Sequence, residues 1–271
     1  METVTRLNTQ PLRLLQLTDP HLGARPNETL LGLNTEESLR DVLAEVRDSG
    51  VQYDLIIATG DISNDGTIAS YHRFIARVQD YLPGIPLAWL AGNHDNPNNM
   101  FNLPGSKPMT GDCGLGQWHF ILLNSRIPFE EGGELSNHEL DRLEGLLAQH
   151  PTRHTMVLLH HQPVPVGSYW IDGYTVKNAE RLFAILERYP NVKALCWGHV
   201  HQAFHLERGN LKLFASPSTC IQFTPQSDAF SVDHLMPGFR HFELHDDGRI
   251  YTHVGRAKDR IYCIDFASTG Y

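Results

Sequence analysis

The 271-residue chain is 41% hydrophobic and 20% charged, which supplies a buried core and excludes a disordered composition. Its net charge of −9 excludes a dedicated nucleic-acid or anionic-membrane binder, since either needs a basic face. A small anionic substrate stays open, because bound metal reverses the local sign of the field.

Leu12–Leu17 reads as a buried strand that runs into Thr18-Asp19-Pro20-His21. Asn34 and Glu37 have capping-box spacing and open a helix that runs to about Ser49, with Gly50 as its stop. Residues 55–58 form a second strand ending at Gly60-Asp61, 71–81 are helical, and Leu87–Leu90 is a third strand ending at Gly92-Asn93-His94-Asp95. Residues 97–116, rich in Gly, Pro and Asn, read as a long loop forming a lid or rim. A strand over 118–123 follows, then a helix opened by the Ser136/Glu139 capping pair and reaching Gln149. The strand 156–159 ends in His160-His161, 180–187 are helical, and Val192–Trp197 is a strand ending in Gly198-His199-Val200-His201. The tail has short strands and turns, with Asp247-Gly248 between 242–244 and 250–254 as a hairpin signal. The alternation predicts α/β architecture with sheets sandwiched between helices, in one domain over 1–271: a motif-bearing core over about 12–220 and a β-rich tail over about 221–271.

Five apolar strands thus each end in an Asp, Asn or His cluster. Singly, each has an ordinary reading: Asp19 as a loop cap, Gly60-Asp61 as a turn, Asn93-His94-Asp95 as an Asx turn, His160-His161 as core imidazoles. Together they are hard to explain as separate turns, because sites in open α/β sheets form at the carboxyl ends of strands. Asp19, His21, Asp61, Asn93, His160, His199 and His201 supply two carboxylates, one amide carbonyl and four imidazoles. Such mixed N and O donors without thiolate suit Fe, Mn, Zn or Co. Seven ligands exceed one site that also holds substrate and water, but fit two ions sharing a carboxylate ~3.5–4 Å apart.

The ordered series DPH, GD, GNHD, HH and GHVH resembles the calcineurin-like metallophosphoesterases over about 12–220. Within that superfamily the chain is most similar to the bacterial class III cyclic-nucleotide phosphodiesterases of the CpdA/Icc type, through the tail segments PSTCIQF (217–223) and PGFR (237–240). The resemblance implies a four-layer α/β/β/α sandwich of two mixed sheets flanked by helices. It implies that Asp19, His21 and His201 hold a first, iron-like ion, that Asn93, His160 and His199 hold a second, often manganese, and that Asp61 bridges them. His94 would then act on the substrate without ligating metal; His21, Asp61, Asn93 and His94 would contact the phosphoester; and His161 and Asp95 would orient ligands. Hydrolysis of 3′,5′-cyclic AMP to 5′-AMP by metal-activated hydroxide is the implied reaction. Glycerophosphodiesters or 2′,3′-cyclic nucleotides are alternative substrates, and a non-catalytic scaffold is a remote one.

The expected partner is therefore a small phosphodiester substrate such as cyclic AMP, with neither nucleic acid nor membrane, and the protein itself is expected to be a monomer or homodimer. Four dispersed cysteines, no signal-peptide pattern and no bilayer-length apolar run predict a cytoplasmic protein. The 97–116 loop, Tyr169–Trp170 and the tail near Phe223 or His234 are candidates for adenine recognition, each with an alternative reading as packing or rim.

Overall fold

A computed structural model of the chain describes residues 10–105 and 108–270; the segment 1–9, over which the sequence is read for a leader, and residues 106 and 107 of the long loop lie outside the described residues. In chain order the elements are β1 (Leu12–Leu17), β2 (Thr29–Leu30), β3 (Leu33–Asn34), α1 (Thr35–Asp48), β4 (Leu55–Thr59), α2 (Ile68–Tyr81), β5 (Leu87–Leu90), α3 (Pro97–Phe101), β6 (Asp112–Leu115) and β7 (Trp118–Leu122). The chain continues through α4 (Asn137–Gln149), β8 (His154–Leu158), α5 (Tyr169–Asp172), α6 (Ala179–Leu186), β9 (Val192–Trp197), β10 (Phe204–Arg208), β11 (Leu211–Ala215), β12 (Gln222–Phe223), β13 (Val232–Asp233), β14 (Gly238–Leu244) and β15 (Ile250–Arg256).

Two mixed sheets dominate, ordered β15-β14-β1-β4-β5 and β10-β11-β9-β8-β7-β6. Their centres are parallel, with β1, β4 and β5 aligned in one and β7, β8, β9 and β11 in the other. Side chains alternate along a strand, and in β4 that alternation builds the layers. Leu55 and Ile57 pack between the sheets with Phe120, Leu158 and Phe214. Ile56 and Ala58 face α1 and α2. On α1, Leu39, Val42, Leu43 and Val46 recur with helical spacing and are fully buried against that face. Leu140, Leu143 and Leu147 of α4 and Leu182, Phe183 and Leu186 of α6 cover the opposite sheet. The result is the expected α/β/β/α sandwich. Each buried Leu or Val contributes roughly 1.5–3 kcal/mol, more than a helix cap at ~1 kcal/mol. Packing therefore seats the helices and caps trim their ends.

Boundaries differ from the sequence reading where local signals were weak. Helix α2 begins at Ile68 because Thr67 Oγ1 accepts from Ser70 N at 3.4 Å. The Asn34 and Ser136 side chains accept from Glu37 N at 3.0 Å and Glu139 N at 3.2 Å, as the spacing predicts. The glutamates themselves have tertiary partners: Glu37 pairs with Arg260, and Glu139 with Arg142 and Asn124 N. The expected 97–116 loop contains α3, with Pro97 in its first turn and capped by Asn96, and an edge strand, β6, paired antiparallel to β7. The Gly and Pro content hides both, since β6 reads only Asp-Cys-Gly-Leu. The hairpin at Asp247-Gly248 forms, with Gly248 at φ 86°. Strand β14 is longer than the 242–244 expected and lies between β15 and β1, so the tail completes the first sheet. No helix among the described residues is long and apolar enough to cross a membrane.

Candidate metal centre

Each polar cluster follows a parallel strand, and the two sheets bring all five clusters together. The first sheet contributes Asp19 and His21 after β1, Asp61 after β4, and Asn93 and His94 after β5. The second contributes His160 and His161 after β8, and His199 and His201 after β9. Potential ligand atoms of Asp19, His21 and His201 lie within 4.8 Å of one another, as do those of Asp19, Asp61 and His160, and those of His160, His161 and His199. Asn93 joins through its Oδ1, 3.0 Å from His160 Nε2. Asp19, Asp61, His160 and His201 are fully buried, and His21 and His199 are 1% and 4% exposed.

The backbone is bent to achieve this. Asp19, His21, Asp61, His199 and His201 sit at φ 52, 46, 48, 61 and 50°, in the left-handed region that non-glycine residues seldom adopt. Such conformations persist when the surroundings over-determine them. Here Asp19 N and His21 N donate to Gly60 O and Asp61 O at 3.0 Å each, and Ser218 Oγ donates to Asp19 O at 2.7 Å. His199 N donates to both Asp19 carboxylate oxygens at 3.1 Å, and His94 N donates to Asp61 Oδ1 at 2.9 Å. The motif glycines make room: a Cβ on Gly92 would collide with Asp61 and His160, and one on Gly198 with Thr18 and Asp19.

The donor set calls for cations. His160 Nδ1 lies 2.8 Å from Thr59 O and His201 Nδ1 2.8 Å from Ile221 O, so each donates there and turns its Nε2 lone pair inward. His160 Nε2 then lies 3.2 Å from Asp61 Oδ2 and 3.0 Å from Asn93 Oδ1. His201 Nε2 lies 3.3 Å from Asp19 Oδ1 and 3.2 Å from His21 Nε2. Acceptors facing acceptors at these distances repel unless a proton or metal ion sits among them. Among the described residues both His199 ring nitrogens are buried without hydrogen-bond partners, and Asp61 Oδ2 faces only imidazoles, His160 nearest at 3.2 Å, a costly arrangement in a protein interior. Two ions among these donors would satisfy all of them.

Charge states agree. Burial pushes His21 down to about 3 and holds His199 well below the usual imidazole range, which keeps both neutral, the ligating form. Burial also resists charge on His160, but the Asp61 carboxylate outweighs it and raises this imidazole to about 9. In the metal-free protein a proton on His160 thus stands where a cation belongs. Burial alone would raise Asp19 and Asp61; the imidazoles around them, His201 for Asp19 and His160 for Asp61, hold both below the usual carboxylate range.

His161 can contribute a ligand atom by proximity, yet its ring nitrogens lie 2.8 Å from Ser125 Oγ and 3.1 Å from Glu131 O. Asp95 accepts from Gly92 N at 2.8 Å, Ser63 N at 2.9 Å and Ile62 N at 3.2 Å, which pins the loops carrying Asp61 and Asn93. His94 is half-buried, its ring centroid 4.9 Å from that of His21, at the mouth of the cluster. Sequence reasoning missed Gln16. Fully buried on β1, it donates through Nε2 to Thr59 Oγ1 at 2.9 Å and Trp197 O at 3.1 Å, and accepts from Ser216 Oγ at 2.6 Å. It ties the two sheets together beneath the cluster. A polar residue inside the apolar run Leu12–Leu17 was its only signal.

The comparisons with known proteins agree with this geometry. The calcineurin-like phosphoesterase profile matches residues 12–203. A Pseudomonas aeruginosa protein, 3′,5′-cyclic adenosine monophosphate phosphodiesterase CpdA, is 42% identical over 95% of this chain and 94% of its own. Its Escherichia coli K12 counterpart of the same name is 40% identical over 96% of this chain and 95% of its own. A dimetal phosphatase from Danio rerio superposes with a TM-score of 0.58 over 92% of this chain and 100% of its own; at 15% identity it speaks for the fold alone. The chain belongs to the calcineurin-like phosphoesterase family.

Proposed function

We propose that the chain hydrolyses 3′,5′-cyclic AMP to 5′-AMP at a dinuclear centre, with Asp19, His21 and His201 on one ion, Asn93, His160 and His199 on the other, and Asp61 between them. The observation that carries the reading is the set of buried, inward-facing acceptors around Asp61 Oδ2, which two cations would satisfy, in a chain about 40% identical along nearly its whole length to proteins named for this activity. When bound, the ions would neutralise the phosphodiester and lower the pKa of an attacking water. Iron at the first position and manganese at the second suit the mixed donors, with zinc or cobalt as substitutes.

The protein's own groups do the rest. Asp61 orients the cluster and, through Oδ1, holds the His94 backbone. His94, at the mouth, donates an N–H to a phosphoryl oxygen or to the departing 3′ oxygen, where charge develops as the P–O3′ bond breaks. Asn93, His21 and Asp61 border the phosphoester. Water adds to phosphorus and O3′ leaves with a proton, so no Ser or Cys nucleophile is needed. The reading extends to one working domain, because β14 of the tail pairs with β1, and to a cytoplasmic setting, because all four cysteines are free thiols.

The test is steady-state kinetics of the metal-loaded protein on cyclic AMP, cyclic GMP, 2′,3′-cyclic AMP, glycerophosphoethanolamine and p-nitrophenyl phosphate, with metal content measured alongside. A kcat/KM highest for cyclic AMP is expected. A value well below that for glycerophosphodiesters would replace the substrate while leaving the centre intact.

A further inference from the structure

Two cavities of similar size open beside the cluster, and their walls differ. One, of about 400 Å3, lies next to His21 and is lined by Arg25, Asn27, Glu28, Thr29 and Asn64. It has no aromatic ring apart from His21 itself. The other, of about 410 Å3, starts at Asn93, His94 and His199 and extends between Trp170, Tyr174, Phe230 and Phe129. Both volumes suit a small ligand, but only the second has surfaces on which a heteroaromatic base can stack. The Trp170 indole is braced edge-to-face by Phe223 and Phe230, at centroid distances of 5.1 and 5.0 Å. At the rim, Phe129 is fully exposed, carried outward at φ 64° by the turn that Glu130 N closes on Ile127 O at 3.2 Å. Glu131, which lines the cavity beside Tyr174, adds an acceptor for a base amino group.

We infer that the base of the cyclic nucleotide lies in this aromatic cavity, stacked on Trp170 and Phe129, with its exocyclic amine directed to Glu131. The geometry thereby selects among the sequence candidates. Tyr169 points to solvent at 78% exposure and does not line the cavity. His234 packs on Phe266 and borders a separate cavity. Phe223 serves by bracing Trp170. Phosphate capture and base recognition would thus be divided between different walls of one cavity, which makes Trp170 and Phe129 specificity-determining residues.

This inference rests on cyclic-nucleotide hydrolysis, and the experiment separates the two. The metal-loaded wild type and its Phe129→Ala and Trp170→Ala variants are assayed on cyclic AMP and on the same ribose 3′,5′-cyclic phosphate lacking the base. Loss of a stacking partner should raise KM for cyclic AMP roughly tenfold, with kcat nearly unchanged and kcat/KM for the abasic diester unaltered. Phe129→Ala removes a side chain that supports no packing, so it stays informative if Trp170→Ala fails to fold. An unchanged KM for cyclic AMP in Phe129→Ala, or an equal loss on the abasic diester, overturns the base site alone. A wild type inactive on cyclic AMP overturns the proposed function and this inference with it.

Discussion

The two sheets contribute different chemistry to the centre. The first supplies both carboxylates and the amide, at Asp19, Asp61 and Asn93, with one imidazole, His21. The second supplies imidazoles only, at His160, His199 and His201. The carboxylates are held ionised by the imidazoles opposite, and burial keeps His21 and His199 neutral. Neither sheet alone carries a complete ligand set, so a filled centre also bridges the sandwich. Metal binding should therefore stabilise the fold as well as activate it, and each prediction below probes one side of that division.

The largest effect is expected from Asp61→Ala, which removes the carboxylate proposed to lie between the two ions. Both ions should be lost, as measured by elemental analysis, and kcat/KM should fall at least about a thousandfold, in line with the several kcal/mol that metal ions supply. Retention of either ion at full occupancy would refute the bridging role. His94→Ala should keep both ions and lower kcat by about 10²–10⁴, the range for a positioned proton donor. Unchanged turnover would reduce His94 to scenery. Asn93→Ala should weaken one ion at least about a hundredfold and spare the other, a selectivity visible in a metal titration.

His160 sets the pH dependence. Its imidazole, raised to about 9, carries a proton in the metal-free protein at neutral pH, and an ion must displace it. Metal affinity should rise about tenfold per pH unit up to about pH 9 and then level off, with about one proton released on loading. Without metal, the same raised value gives stability that is full below an ordinary histidine pKa and is lost as pH rises through about 9. Calorimetry in buffers of different ionisation heat would detect the proton. A flat profile from pH 6 to about 9 would contradict this charge state.

The smallest effect belongs to the strut between the sheets. Gln16→Leu strands the Thr59 and Ser216 hydroxyls, at about 1–3 kcal/mol for each buried group left unsatisfied, while Trp197 O keeps its bond from Ser216 N. The apparent Tm should drop by several degrees, and added metal should recover part of it, because ions held as proposed would clamp the same two sheets. An equal drop with and without metal would uncouple the strut from the centre.

Much of this was legible along the chain. The strands β1, β4, β5, β8 and β9 and the polar clusters that end them follow from short apolar runs, and helix starts follow from Asn34 and Ser136 as caps, because periodicity and capping are local physics. All seven expected ligand residues come together, since carboxyl ends of parallel strands converge. Strand β6 and helix α3 escaped notice because an edge strand of Asp-Cys-Gly-Leu and a five-residue helix have no period to read.

Other features exist only in three dimensions. The left-handed backbone at Asp19, His21, Asp61, His199 and His201 is unfavourable for each residue by itself and persists because bonds from distant strands hold it. Gln16 looks like a lone polar residue in an apolar run until the second sheet brings Trp197 O and Ser216 within reach. Sequence by itself determined which residues end the strands and hence what chemistry is available. Tertiary structure decided which ends meet, which imidazoles stay neutral and which cavity has aromatic walls, because burial and inter-sheet distance belong to the assembled sandwich and to no segment of it.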